Sequence, residues 1–217
     1  MRAIIASLAL LTAAPAAAQN VTTIEQMGDG AVADVSQSGA LASSLLIEQT
    51  QGGSVTVTQI GDGHAATYED GGADNLLVLG QGGVGQEATV RLTGQGIDGT
   101  LSQDGSGNTV DVLVGGLANQ FTIEQQAAFA NEAYLTQNGD RNVAGKLQTG
   151  TGNVMSLIQT GDDNAAAMIQ DGSDNLMTLE QQGNANGAVL TQRGDATQPI
   201  GVIQTGGAQV SITHTGN

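Results

Sequence analysis

One spacing constrains this chain more than any other feature. Asn131, Asn142, Asn153, Asn164, Asn175 and Asn186 recur every 11 residues. Six residues after each stands a glutamine: Gln137, Gln148, Gln159, Gln170, Gln181 and Gln192. Two residues further on come Gly139, Gly150, Gly161, Gly172, Gly183 and Gly194. With Asn as position 0, positions 2 and 4 are apolar, 6 is Gln and 8 is Gly. A helix would show a 3.6-residue period and would not tolerate a glycine in every unit. The alternation of apolar and polar residues, closed by glycine-containing turns such as Gly150-Thr151-Gly152, is the grammar of one β-strand per unit.

Extended in both directions, the template gives 18 units between Asn20 and Asn217, spaced by 9 to 13 residues. Position 4 supplies the expected core, including Ile123, Leu135, Leu157, Met168, Leu179 and Leu190; Thr67 and Lys146 are the non-aliphatic residues read there, and Leu92 is read there as well. Glu69, Gly94, Val114 and His214 replace the glutamine. Position 2 alternates as Met155, Ala166, Met177, Ala188, a 22-residue period. Two strands then make one coil, with a large side chain of one sheet facing a small one of the other, as close packing requires. The expected fold is all-β: a parallel two-sheet β-solenoid of about nine 22-residue coils.

The amides share parity with the apolar residues, so they are expected to point inward at the corners. An isolated buried amide is costly. A column of identical amides one rung apart satisfies itself, each carbonyl accepting from the amide of the next rung. Glycine at position 8 provides the positive φ of a tight corner.

Composition narrows the possible functions. Aromatic residues are 2% of 217 and cysteine is absent, so the core must be thin and has no disulfide staple. Five basic residues against 21 acidic ones, a formal charge of −16, run against nucleic-acid binding. Residues 1–18 read as a secretory signal peptide: Met1-Arg2, an apolar stretch from Ala3 to Leu11, and small residues ending Ala16-Ala17-Ala18. That stretch is too short for a membrane span, which needs ~20 apolar residues, and no second one follows. Residues 19–217 form the repeat domain.

The unit Asn153-Val154-Met155-Ser156-Leu157-Ile158-Gln159-Thr160-Gly161 resembles the curlin repeat of bacterial curli fibre subunits. The resemblance implies export to the cell surface, polymerisation into amyloid fibres, and a role in adhesion and biofilm matrix. It also implies partners: other copies of the chain, a nucleating subunit and an outer-membrane secretion machinery. Curlins of the familiar kind have fewer coils and carry a leader after the signal, whereas here Asn20 already holds a repeat position.

No capping block is visible at either end of the repeat, so exposed strand edges are expected to recruit further copies end to end. Asp140 and Asp162, stacked one coil apart, and Asp29, Asp62 and Asp195 in similar turns are expected to be solvated and mutually repulsive. Their alternative roles are a brake on assembly or a Ca²⁺-responsive surface. Lys146 is expected either to force a bulge or to reach out at a corner, and residues 84–99 are expected to be irregular.

Rival solenoids fit poorly. A calcium-binding β-roll needs an Asp every nine residues. An ice-binding face needs a sustained Thr-x-Thr row, which Thr56 and Thr58 supply once and Ala167 and Ile169 interrupt. A polysaccharide-cleaving enzyme needs clustered acids or bases, and His64 and His214 are far apart. No catalytic residue, metal or cofactor is expected. The competing reading is a secreted β-solenoid adhesin that does not polymerise.

Overall fold

The structure is a computed structural model that describes residues 20–39 and 42–216. The expected signal peptide, residues 1–18, lies outside the described residues. In chain order the first coils are β1 (Val21–Gln26), β2 (Ala31–Ser38), β3 (Ser44–Gln49), β4 (Gly53–Asp62), β5 (Ala65–Asp70) and β6 (Asn75–Val84). The middle holds β7 (Glu87–Leu92), β8 (Asp98–Ser106), β9 (Thr109–Gly115), β10 (Gln120–Phe129), β11 (Glu132–Asn138) and β12 (Val143–Thr151). The last coils are β13 (Val154–Thr160), β14 (Ala165–Ser173), β15 (Leu176–Gln182), β16 (Gly187–Arg193), β17 (Ile200–Thr205) and β18 (Gln209–Thr215).

Odd-numbered strands form one nine-stranded sheet and even-numbered strands the other. Every pairing is parallel and joins a strand to the second next in sequence, so two strands make one coil and nine coils stack. Among the described residues there is no helix, hence none long and apolar enough to cross a membrane. The chain is an all-β parallel solenoid.

Register keeps equivalent positions in line. Leu135, Leu157, Leu179 and Val202 are successive partners in the odd sheet; Ile123, Lys146, Met168 and Leu190 are successive partners in the even sheet. Ile123, Leu135, Leu157, Met168, Leu179 and Leu190 are all buried. Met155 and Met177 are neighbours in the odd sheet, while Ala144, Ala166 and Ala188 form the matching row of the even sheet, all buried. The aliphatic row is thin but continuous along the axis, and Phe121 and Tyr68 are the aromatics within it.

Three local expectations are corrected. Tyr68, not Thr67, occupies position 4 of β5, in line with Ile47 and Val90, and Asp70 takes position 6 in place of Glu69. In β7 position 4 is Val90; Leu92, read two places too early, stands at position 6 beside Val114, and Gly94 belongs to the turn. The stretch from 84 to 99 is therefore a regular rung, joined to its neighbours by bridges from Gln95 to Ala73 and Leu117. Lys146 neither bulges nor reaches out: β12 stays in register there, and the residue is buried. The register irregularity lies instead in β10, between Ala127 and Phe129.

The corners take left-handed backbone. Gly139, Gly150, Gly161, Gly172, Gly183 and Gly194 have φ from 89° to 128°. A Cβ on Gly150 would run into the carbonyl oxygen of Gly172 on the next coil, so both φ and stacking demand glycine. Arg141, Asp163, Asp174 and Ala185, each just before a repeat asparagine, also hold φ of 54° to 58°, which the glycine pattern does not signal.

Candidate functional site

The side chains that set this molecule apart are its axial columns. In the even sheet, Gln37, Gln59, Gln81, Gln103, Gln125, Gln148, Gln170 and Gln192 form one unbroken ladder. Each Nε2 donates to the Oε1 of the next coil at 2.6 to 3.1 Å. Interior members also donate across the corner to backbone carbonyls, as Gln148 does to Glu132 O and Asn153 O. Glutamine suits this place because one amide serves donor and acceptor roles at once, in a space where an unpaired group costs ~1–3 kcal/mol. The ladder stops below β18: His214 is in register with Gln192, and Gln192 Nε2 turns to Gln198 O.

The odd-sheet ladder is interrupted. Gln26 donates to Gln49, and Gln137, Gln159, Gln181 and Gln204 form a second run at 2.8 Å. Between them stand Asp70, Leu92 and Val114. The two flanking ends are left buried without a hydrogen-bond partner: Nε2 of Gln49 and Oε1 of Gln137. Asp70 is buried and accepts from Tyr68 Oη at 2.9 Å, Gly72 N at 2.9 Å and Asn75 Nδ2 at 2.7 Å. Burial foremost, then the Asp70 charge and hydrogen bond, pushes the Tyr68 hydroxyl pKa up.

The asparagines work differently from the amide-to-amide columns expected for them. Oδ1 of Asn131, Asn142, Asn153, Asn164, Asn175 and Asn186 each accepts a backbone N–H from the next coil, at 2.9 to 3.1 Å. Nδ2 of Asn142, Asn153, Asn164 and Asn175 donates to the carbonyls of Gly161, Gly172, Gly183 and Gly194, tying coil to corner. Asn186 Nδ2 reaches Asn164 Oδ1, the one amide-to-amide link in the set, while Asn131 Nδ2 is buried with no partner.

In the odd sheet this acceptor column is continuous although its residues change. Asn20, Ser43, His64, Gln86 and Asn108 each accept a backbone N–H of the following coil, and Asn131, Asn153 and Asn175 continue the series. His64 takes part through Nδ1, which leaves the proton on Nε2 to donate to Ile60 O at 3.2 Å. Spacing alone could have placed Ser43, His64 and Gln86, since each stands about one coil from its neighbours.

The turn acids form a further column rather than a purely repelling one. Asp140 Oδ1 accepts Leu117 N–H, Asp162 Oδ1 accepts Asp140 N–H and Asn184 Oδ1 accepts Asp162 N–H, at 2.8 to 2.9 Å. Asp195 does the same for Ser173. Arg141 pairs with Asp163 one coil away at 2.7 Å and holds that carboxyl below its ordinary range. Among the described residues, no three acids or histidines gather as a metal site.

Lys146 faces the thin core from the even sheet. Its Nζ crosses to the odd sheet and donates to Tyr134 O, with Met155 O at 3.5 Å, and burial pushes its pKa down to about 7.

Parallel coils in register, joined by side chains that repeat one bonding pattern along the axis, define a β-solenoid whose coils are linked by axial hydrogen-bond columns. The family model of the curlin associated repeat matches residues 130–161 and 155–183, so β11 to β15 are similar to that repeat. Neither curated proteins nor solved structures give a match to the chain.

Proposed function

We propose that this chain is a secreted structural subunit that polymerises end to end into curli-like amyloid fibres at the cell surface, for adhesion and biofilm matrix. The observation that carries the reading is the even-sheet glutamine ladder, which links eight successive coils by one repeated bond. A column of this kind gives each coil the donors and acceptors that its neighbour needs, whichever molecule supplies the neighbour. Gln26 Oε1 at the first coil and Gln204 Nε2 at the last are the matching halves of such a bond in the odd sheet, Gln204 meanwhile donating to Gly187 O and Ala208 O. The curlin repeat and the signal-like residues 1–18 support export, with a nucleating subunit and an outer-membrane secretion machinery as the partners such a route requires. The work is structural, with no catalytic step.

One observation favours the other reading, an adhesin that stays monomeric. The even ladder ends at Gln192, one coil before the last, because His214 takes the next place. Purified residues 19–217, followed by thioflavin T fluorescence and imaged, decide between the two. Fibres are expected, growing faster between low and physiological salt because copies with 4 basic and 21 acidic residues, a formal charge of −17 once Arg2 is removed, repel. Monomers persisting for days at high concentration would exclude polymerisation.

A further inference from the structure

The two outer faces of the solenoid differ in charge. On the odd sheet, outward positions 1, 3 and 5 carry a charged residue on seven of nine strands, among them Glu25, Glu48, Glu69, Arg91, Asp111, Glu132 and Glu180. On the even sheet, the same three rows of β12, β14, β16 and β18 carry none. Val143 and Val189 border a shallow depression on this face, lined also by Ala165, Ala167, Gly187, Gln209 and Ser211, and Leu147 and Ile169 hold outward positions beside it. Val143 is 44% exposed and Val189 50%. At the corner side its border is Thr149, Asp171, Arg193 and Thr215, whose single acid and single base are register partners.

We propose that this face pairs with the same face of a second copy, binding fibres side by side; the inference rests on the polymerising reading above. Charge selects the partner. Two chains of formal charge −17, with Arg2 removed, repel over most of their surface, and this is the longest uncharged run of outer sheet on the described residues. Relief fits a two-fold contact: an exposed Val189 beside a depression in each copy meets the depression of the other. Area sets the context. Four strands at ~4.8 Å by about five residues at ~3.3 Å give roughly 300 Å², well under the ~800 Å² per partner of a stable pair. Single copies therefore do not dimerise through it, whereas a fibre presenting it once per subunit engages many at once.

The chain has no cysteine, so single-cysteine variants report contact cleanly. Val189→Cys and Ile158→Cys, the latter on the odd face and 40% exposed, are assembled and treated with a short bismaleimide. Axial neighbours place equivalent residues about 40 Å apart (nine coils at ~4.8 Å), so a covalent dimer arises only from lateral contact. Several-fold more dimer is expected for Val189→Cys, falling to the Ile158→Cys level when Ala167→Glu is added. Microscopy of the same samples reads polymerisation separately. Fibres with equal cross-linking at both positions overturn the pairing and leave the polymer reading intact. Absence of fibres with no excess at Val189 overturns both.

Discussion

Along the odd sheet the acceptor column at position 0 is whole while the glutamine ladder lapses for three coils at Asp70, Leu92 and Val114. Along the even sheet the glutamine ladder is whole from Gln37 to Gln192, while the acceptor column begins only at Asn75 and lapses at Ile97 before resuming at Asn119. The two columns make different demands. Position 0 needs only an acceptor for a backbone N–H, which Asn, Ser, His and Gln all supply, so it survives changes of residue. Position 6 needs a donor and an acceptor on one side chain, and a foreign residue there orphans a group on each side. Gln49 Nε2 and Gln137 Oε1 are that pair of orphans. A single lapse costs as much at its ends as three consecutive ones, which is consistent with the odd-sheet gap being one contiguous block of Asp70, Leu92 and Val114.

The largest expected effect comes from cutting the intact ladder. Gln148→Leu strips Gln125 Nε2 of its ladder acceptor, leaving it only Thr109 O, and Gln170 Oε1 of its donor, both residues fully buried. A loss of about 3–5 kcal/mol is expected, on the basis of ~1–3 kcal/mol for each orphaned group plus the bond itself. Chemical denaturation measures it, and a loss below about 1 kcal/mol would show that the two sheets do not differ as argued. Next is the odd sheet's own substitute for the ladder. Asp70→Ala leaves the Tyr68 hydroxyl and Gly72 N–H without the carboxylate and removes one of two acceptors from Asn75 Nδ2. About 2–4 kcal/mol is expected, with Tyr68→Phe costing a fraction of that, because it removes one of the three donors.

Lys146 sharpens the comparison from the core side. It sits in the even sheet between Ile123 and Met168, and no carboxylate bonds to it among the described residues; its partners are the Tyr134 and Met155 carbonyls. Its folded pKa is about 7 against an ordinary 10.5, so between these values the unfolded chain binds the extra proton. Stability should therefore rise with pH from about 7 toward 10.5, and the penalty is present in full below 7. Tyr68 and Tyr134, both pushed up in the fold, oppose this only near their ordinary range at pH 10. Lys146→Met is expected to stabilise by about 1–3 kcal/mol at neutral pH and to flatten the curve between pH 7 and 9.5. A variant whose stability keeps the same slope would assign that slope to other groups.

How much of this could be read from sequence depends on the residue. Where Gln marks position 6, parity fixed the register, the inward face and the two-strand coil, and Leu135, Leu157 and Leu179 lie where the template puts them. At two of the four units without the marker the frame slips, by one residue at Tyr68 and by two at Leu92, whereas Val114 and His214 stand where the template puts them. Asp70 was unreadable as a replacement because its role depends on Tyr68 and on Asn75 across the corner. The asparagine partners were misjudged because an amide column and an amide-to-backbone column have the same spacing. Left-handed backbone at Arg141 and Asp163 has no compositional mark, since neither is glycine. Lys146 was misjudged because its long stem lets Nζ find carbonyls across a core thin enough to span.

The smallest expected effect is the most discriminating. Val114→Gln would let a new Nε2 donate to Gln137 Oε1, the acceptor now orphaned. Its own Oε1 would then face Leu92, which has nothing to donate. The defect moves one coil without closing, so the net change should stay within about 1 kcal/mol despite the added hydrogen bond. Adding Leu92→Gln moves it one coil further, to Asp70, whose carboxylate accepts from three donors and has none to give the new Oε1. If ladder bonds contributed independently, stability would instead climb with each glutamine added. Denaturation midpoints of the single and double variants separate the two cases: flat values mark a ladder whose cost lies at its ends, and stepwise gains mark one whose rungs act alone.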